Sequence, residues 1–233
     1  ETVELVTGGF QYYLGENGTR ISSEAPLRIW NWDGKKFTCE KSHNWVGSTQ
    51  SIYAYDLDND GLKEIITGGR ALIGKNIINS IKIWNYDCAN IYQKDEYCGI
   101  QARSIFVADF DGDKIPELIA AGRVSDQNRT FAQLSIFQWK NSHLHHKNSV
   151  EWCAANEAYA HSVYAQDLDN DGRIEIITGG YDNDLINSSG QLRVWRWNGE
   201  ELILEANKEW RMVDGVYGKT VSGLPMGNTM INN

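Results

Sequence analysis

Asp167-Leu-Asp-Asn-Asp-Gly-Arg-Ile-Glu175 has two earlier counterparts, Asp56-Leu-Asp-Asn-Asp-Gly-Leu-Lys-Glu64 and Asp109-Phe-Asp-Gly-Asp-Lys-Ile-Pro-Glu117. Each has carboxylates at positions 1, 3, 5 and 9 of a nine-residue loop. A tight turn at that spacing directs several side chains onto one hard cation, and calcium takes six to eight oxygens at roughly 2.3–2.6 Å. Without a cation, four like charges held this close repel one another strongly.

The repeat runs beyond the loops. Ser51–Tyr55, Ser104–Ala108 and Ser162–Gln166 precede them. Glu64-Ile-Ile-Thr-Gly-Gly69, Glu117-Leu-Ile-Ala-Ala-Gly122 and Glu175-Ile-Ile-Thr-Gly-Gly180 follow. Further on come Ile81–Tyr86, Leu134–Trp139 and Leu192–Trp197, then stretches ending near Trp152 and Trp210. A copy without its first strand or loop opens the chain: Glu4–Gly9, then Leu27–Trp32, ending near Trp45. The glutamates at 4, 64, 117 and 175 are 60, 53 and 58 residues apart, a period typical of four-stranded units in an array. The segments are short, rich in β-branched and aromatic residues, and bounded by Gly, Asn and Asp.

These observations predict an all-β chain, a β-propeller of four four-stranded antiparallel blades with strands A to D. Sheets stacked around an axis bury both faces, which explains the lack of clean alternation in strands A and B. The chain is then one domain over 1–233. Blade 1 covers 1–45 plus 217–223, blade 2 covers 51–98, blade 3 covers 103–152 and blade 4 covers 161–210. The C-terminal strand Tyr217–Ser222 would complete blade 1 and remove two open sheet edges. The same strand given to a neighbour would build a polymer, and membership of a larger propeller is the third arrangement.

The pattern D-x-D-x-D-G-x-x-E-I-I-T-G-G resembles the FG-GAP/VCBS-type calcium-binding repeats of integrin α-subunit propellers and secreted microbial proteins. The loop at 109–117 departs from it, with Lys114 in place of glycine. From the loops and the resemblance together, three calcium sites are expected: Asp56, Asp58, Asp60, Leu62 and Glu64; Asp109, Asp111, Asp113, Ile115 and Glu117; Asp167, Asp169, Asp171, Arg173 and Glu175. Leu62, Ile115 and Arg173 would each contribute a main-chain carbonyl. The ion's expected role is structural, since calcium activates water poorly beside zinc.

The formal charge is −9. Three divalent ions add +6 and leave −3, and the basic residues form no stripe, which argues against nucleic acid. No apolar run approaches the length of a membrane span. Sequons at Asn17, Asn128 and Asn187 all fall in B–C connections, on the rim opposite the acidic loops, so an extracellular or cell-surface glycoprotein is expected. Cys39, Cys88, Cys98 and Cys153 allow three full pairings, and sequence does not choose among them.

Trp30, Trp84, Phe137 and Trp195 form one repeat column; Trp32, Tyr86, Trp139 and Trp197 form another. Both read as packing between sheets. Tyr12, Tyr13, Tyr159 and Tyr181, near the upper loops, are better ligand candidates. His143, His145 and His146 read as a solvated turn, with metal binding the alternative. His43 and His161 have no partner visible in the sequence. Gly218-Lys-Thr220 lacks the preceding glycine of a phosphate loop, where Val213 stands. The expected function is a non-catalytic binding, adhesion or structural module, whose protein or glycan ligand sits opposite the calcium loops. The alternative is a subunit of an extracellular fibre. A carbohydrate-active enzyme is disfavoured, because strand A shows Tyr, Ala, Val and Ser rather than unpaired acids.

Overall fold

The computed structural model describes residues 3–14, 16–18, 20–73, 76–153, 156–184 and 187–211. Sixteen strands and no helix occur among them. They fall into four antiparallel units in sequence order. The first holds β1 (Val3–Gly8), β2 (Gln11–Leu14), β3 (Arg20–Trp32) and β4 (Phe37–Val46), with β1 and β2 both pairing β3. The second holds β5 (Ser48–Tyr55), β6 (Glu64–Ile73), β7 (Asn76–Tyr86) and β8 (Ile91–Cys98). The third holds β9 (Gln101–Ala108), β10 (Glu117–Ser125), β11 (Thr130–Lys140) and β12 (His143–Trp152). The fourth holds β13 (Glu157–Gln166), β14 (Glu175–Asn183), β15 (Ser188–Trp197) and β16 (Leu202–Arg211). One parallel pairing, Thr130 with Glu157, links the last two units into an eight-stranded sheet. Among the described residues no sheet closes on itself.

Strands A begin two to four residues earlier than the sequence suggests, at Ser48, Gln101 and Glu157. Their first residues are polar, so hydrophobicity does not mark them. The closing segment Tyr217–Ser222 and Val213 lie outside the described residues, as does the side chain of Tyr12.

The core sits between sheets rather than within one. Ala25, Leu27 and Ile29 of unit 1 pack against Ile65, Trp84 and Ile91 of unit 2. Ile66, Ile81 and Ile83 of unit 2 meet Leu118, Ala120 and Phe137 of unit 3. Ile119, Leu134 and Ile136 of unit 3 meet Ile176, Trp195 and Trp197 of unit 4. Neighbouring residues of one strand thus serve opposite cores: Ile65 and Ile66, then Leu118 and Ile119. Successive side chains point to opposite faces, so a strand buried on both sides is apolar without alternation.

The aromatic columns divide. Trp84, Phe137, Trp195, Trp139 and Trp197 are buried, whereas Trp32 of the first unit is exposed and packs on Phe37. Trp30, Trp84 and Trp195 donate their indole N–H to Thr7, Thr67 and Thr178, each at 2.9 Å. Unit 3 replaces both members, with Phe137 for the indole and Ala120 for the hydroxyl. Losing donor and acceptor together leaves no buried polar atom unsatisfied.

In the second, third and fourth units the glycine that ends this motif, Gly69, Gly122 or Gly180, answers to a bulge in strand A. The β5–β6, β9–β10 and β13–β14 registers each slip by one residue beside it. A Cβ on Gly69, Gly122 or Gly180 would fall against the main-chain oxygen of Ser48, Gln101 or Tyr159. Gly9, in the unit without a strand A among the described residues, meets only Pro26 Cγ at 4.0 Å. Gly69→Ala and Gly180→Ala are therefore each expected to cost about 3 kcal/mol, because the clash is with backbone. Urea unfolding of the two variants checks this.

Candidate metal centre

The three acidic loops join strands A and B, at the same end of their units. Two positions per loop adopt positive φ: Asn59 and Gly61, Gly112 and Lys114, Asn170 and Gly172. The second loop thus puts glycine at position 4 and Lys114 at position 6, the reverse of its siblings. Lys114 (φ 71°) bears the strain of a side chain in the left-handed region, roughly 1 kcal/mol, yet its N–H still reaches Asp109 Oδ2 at 2.9 Å.

Positions 1, 3 and 9 converge. Asp56, Asp58 and Glu64; Asp109, Asp111 and Glu117; and Asp167, Asp169 and Glu175 each bring three carboxylate oxygens within 4.8 Å of one another. The first aspartate also ties the loop: Asp56 accepts the N–H groups of Asp60 and Gly61 at 3.1 and 3.0 Å, and Asp167 does the same for Asp171 and Gly172. Position 5 lies outside the triads. Asp60, Asp113 and Asp171 instead accept the N–H of Leu62, Ile115 and Arg173 at 2.7–2.8 Å, an Asx-type turn.

The glutamate at position 9 opens strand B and is buried, at 0, 2 and 6% exposure in Glu64, Glu117 and Glu175. One oxygen of each accepts the N–H at position 2, from Leu57, Phe110 or Leu168, at 2.7–3.0 Å. The pair of contacts fixes the carboxylate between backbone and triad. A set of oxygens alone, with buried negative charge, fits a hard cation and can hold a metal ion.

The three sites are not equivalent. In the first, Lys94 Nζ lies 2.7 Å from Asp58 Oδ2 and 3.0 Å from Glu64 Oε1. Strand D carries a bulge at the same point in every unit, opposite Ile29/Trp30, Ile83/Trp84, Ile136/Phe137 and Val194/Trp195. The residue left over is Glu40, Lys94, Lys147 or Glu205, and a bulge re-aims its side chain. Only Lys94 turns into an acidic triad; Glu205 pairs with Arg196. Among the described residues no basic side chain pairs with Glu117 or Glu175.

Glu117 shows the consequence. Burial, with Asp111, Asp113 and Asp109 beside it, pushes its pKa from 4.5 up to about 7, against the opposing Phe110 hydrogen bond. A carboxyl whose folded pKa is raised loses stability as pH rises between the two values. Metal-free protein should therefore weaken by about 3 kcal/mol between pH 4.5 and pH 7 from this group. Glu117→Gln keeps an acceptor for Phe110 and should remove that pH dependence. It should stabilise the metal-free form above pH 7 and abolish the metal's contribution at that loop. Chemical denaturation across pH, with and without metal, reads both signs.

Other candidates disperse. His143 lies 3.3 Å from Asp95, His145 contacts the Lys140 carbonyl, and His146 stacks on Tyr97; none belongs to a metal-ligating group among the described residues. His43 packs against Trp84. Tyr13 donates to Glu24 at 2.9 Å. Tyr159 and Tyr181, expected on loops, are buried strand residues stacked with His161. Cys39, Cys88 and Cys98 are exposed free thiols. Asn17, Asn128 and Asn187 lie in the turns after β2, β10 and β14, opposite the acidic rim; the first two are exposed.

An all-β chain of tandem units, three of them with an acidic triad on the A–B turn, is a repeat protein whose loops can hold metal ions. A family model described as an FG-GAP-like repeat matches residues 109–178, 70 of the 233. That stretch runs from the second acidic loop through the third and is similar to an FG-GAP-type repeat. No curated protein matches the chain.

Proposed function

We propose that this chain is a calcium-stabilised β-propeller whose four units are successive blades, acting outside the cell as a non-catalytic binding module. The observation that carries the reading is the threefold recurrence of one oxygen triad at one rim, each closed by a buried glutamate. Strand β5 packs beside β9 and β9 beside β13, as innermost strands around an axis do. The cores between sheets supply the stacking that a propeller needs. Calcium fits better than magnesium because loops of this kind add carbonyls and tolerate high coordination. Millimolar extracellular calcium, and sequons confined to the opposite rim, support a secreted or surface location.

In this reading the module is blade 1 (1–45 plus 217–223), blade 2 (51–98), blade 3 (103–152) and blade 4 (161–210). Strand Tyr217–Ser222 fills the place beside Gly9, where the second glycine meets no neighbouring backbone. The same open place favours a second reading, in which another copy supplies that strand and a fibre grows. Sedimentation with calcium separates them: a 26 kDa species supports closure, and calcium-dependent high-mass assemblies support exchange.

Calorimetric titration of the stripped protein tests the metal. Three calcium ions should bind, the one at Asp56–Glu64 most weakly because it must displace Lys94. Binding of no calcium, or of zinc in preference to calcium, would falsify the reading.

A further inference from the structure

At the rim opposite the acidic loops, the residue after each Gly-Gly pair, or after Ala121-Gly122 in the third unit, is Phe10, Arg70, Arg123 or Tyr181. Three guanidinium groups gather there, Arg70 from β6, Arg103 from β9 and Arg123 from β10, all half-buried. Arg103 and Arg123 lie 5.0 and 4.9 Å from the Tyr159 ring centre. Arg123 donates to the Tyr159 hydroxyl at 2.7 Å and to Gln101 Oε1 at 2.6 Å. Arg103 Nη1 donates to His161 Nδ1 at 3.0 Å, which places that imidazole's proton on Nε2. The Tyr159 hydroxyl in turn donates a hydrogen bond to Glu157 at 3.0 Å, and Gln101 donates to Gln50 at 2.8 Å.

The charges do not balance. Among the described residues no carboxylate lies within 4 Å of Arg70, Arg103 or Arg123 in an ion pair, and the Arg103 Nε–H is buried with no acceptor. Burial, then the Arg123 charge, lowers the pKa of Arg103. Half-buried cations that repel one another are costly in a chain of net charge −9 unless an anion joins them.

We propose that Arg103 and Arg123, with Arg70 beside them, bind the carboxylate of a small hydroxylated acid, an acidic sugar of the uronate kind. A planar fork matches a carboxylate bidentately. The exposed Gln50 adds a neutral amide suited to a sugar hydroxyl. The cations converge on one ring instead of forming a stripe, which suits one compact anion and not a polyanion. Being half-buried, they sit out of reach of carboxylates spread over a flat protein surface. The inference names the ligand site of the binding-module reading, and it needs no metal.

Titrating the full chain with monomeric glucuronate and galacturonate, in calcium, tests it by calorimetry. Saturable uronate binding is expected, weakened about tenfold or more by R103Q and by R123Q. Glucose and succinate should bind far more weakly. On the unaltered chain, uronate should protect the Arg103 and Arg123 peptides from phenylglyoxal, a readout independent of whether the variants fold. Absence of uronate binding, absence of protection, equal binding of succinate, or binding of a glutamate-rich peptide alone overturns the assignment. Uronate binding in a protein that takes no calcium overturns the metal reading only; calcium binding without uronate overturns this one only.

Discussion

Stripping divalent cations with a chelator is expected to lower the melting temperature of this protein by roughly 10–20 °C. A ligand present at a hundred times its dissociation constant stabilises the folded state by about 2.7 kcal/mol per site. The loops at Asp109–Glu117 and Asp167–Glu175 have no internal cation, so together they supply about 5 kcal/mol under saturating calcium. Each kcal/mol moves the midpoint by about 2–4 °C in a domain of this size. Differential scanning calorimetry before and after chelation measures it, and re-added calcium should restore the original midpoint. A midpoint unmoved by chelation would mean that loop hydrogen bonds alone hold the triads. Asp169→Ala should reproduce part of the loss, because it removes one triad oxygen and leaves the Asp167 turn bonds intact.

Lys94→Met acts in the opposite sense under the two conditions. Without metal it leaves Asp58 and the fully buried Glu64 with no cation, and breaking a buried pair from one side costs about 3 kcal/mol or more. With calcium, the competitor is gone, and affinity at Asp56–Glu64 should rise. Metal-free stability falls, calcium affinity increases, and the calcium-loaded variant recovers most of what was lost. Urea unfolding and a calcium titration of the same variant decide the matter. A variant equally destabilised with and without calcium would place Lys94 in packing alone, through its contact with Trp139 at 5.6 Å.

The repeat and its two-faced strands were open to sequence reasoning because both are local. Asp-x-Asp-x-Asp followed by glutamate fixes a turn through hydrogen bonds within nine residues, and Ile65-Ile66 or Leu118-Ile119 states burial on both faces directly. The matched exchange of Trp and Thr for Phe137 and Ala120 was also written in the chain, 17 residues apart across one strand pair as in the Trp84–Thr67 and Trp195–Thr178 pairs. The start of each strand A was not legible, since Ser48, Gln101 and Glu157 are polar and earn their place by pairing beside a bulge.

Sequence by itself settled the all-β class, the tandem units and the acidic residues on the A–B turns, because spacing along one chain dictates them. It put Asp60, Asp113 and Asp171 among the expected ligands, and in the fold one oxygen of each accepts a turn N–H. Which charges meet was decided only by tertiary structure. Lys94 reaches its triad through a strand-D bulge 30 residues from Glu64, and Arg103 finds His161 across 58 residues. Long-range register sets those distances, and electrostatic energy depends on distance and burial, neither of which a linear pattern contains.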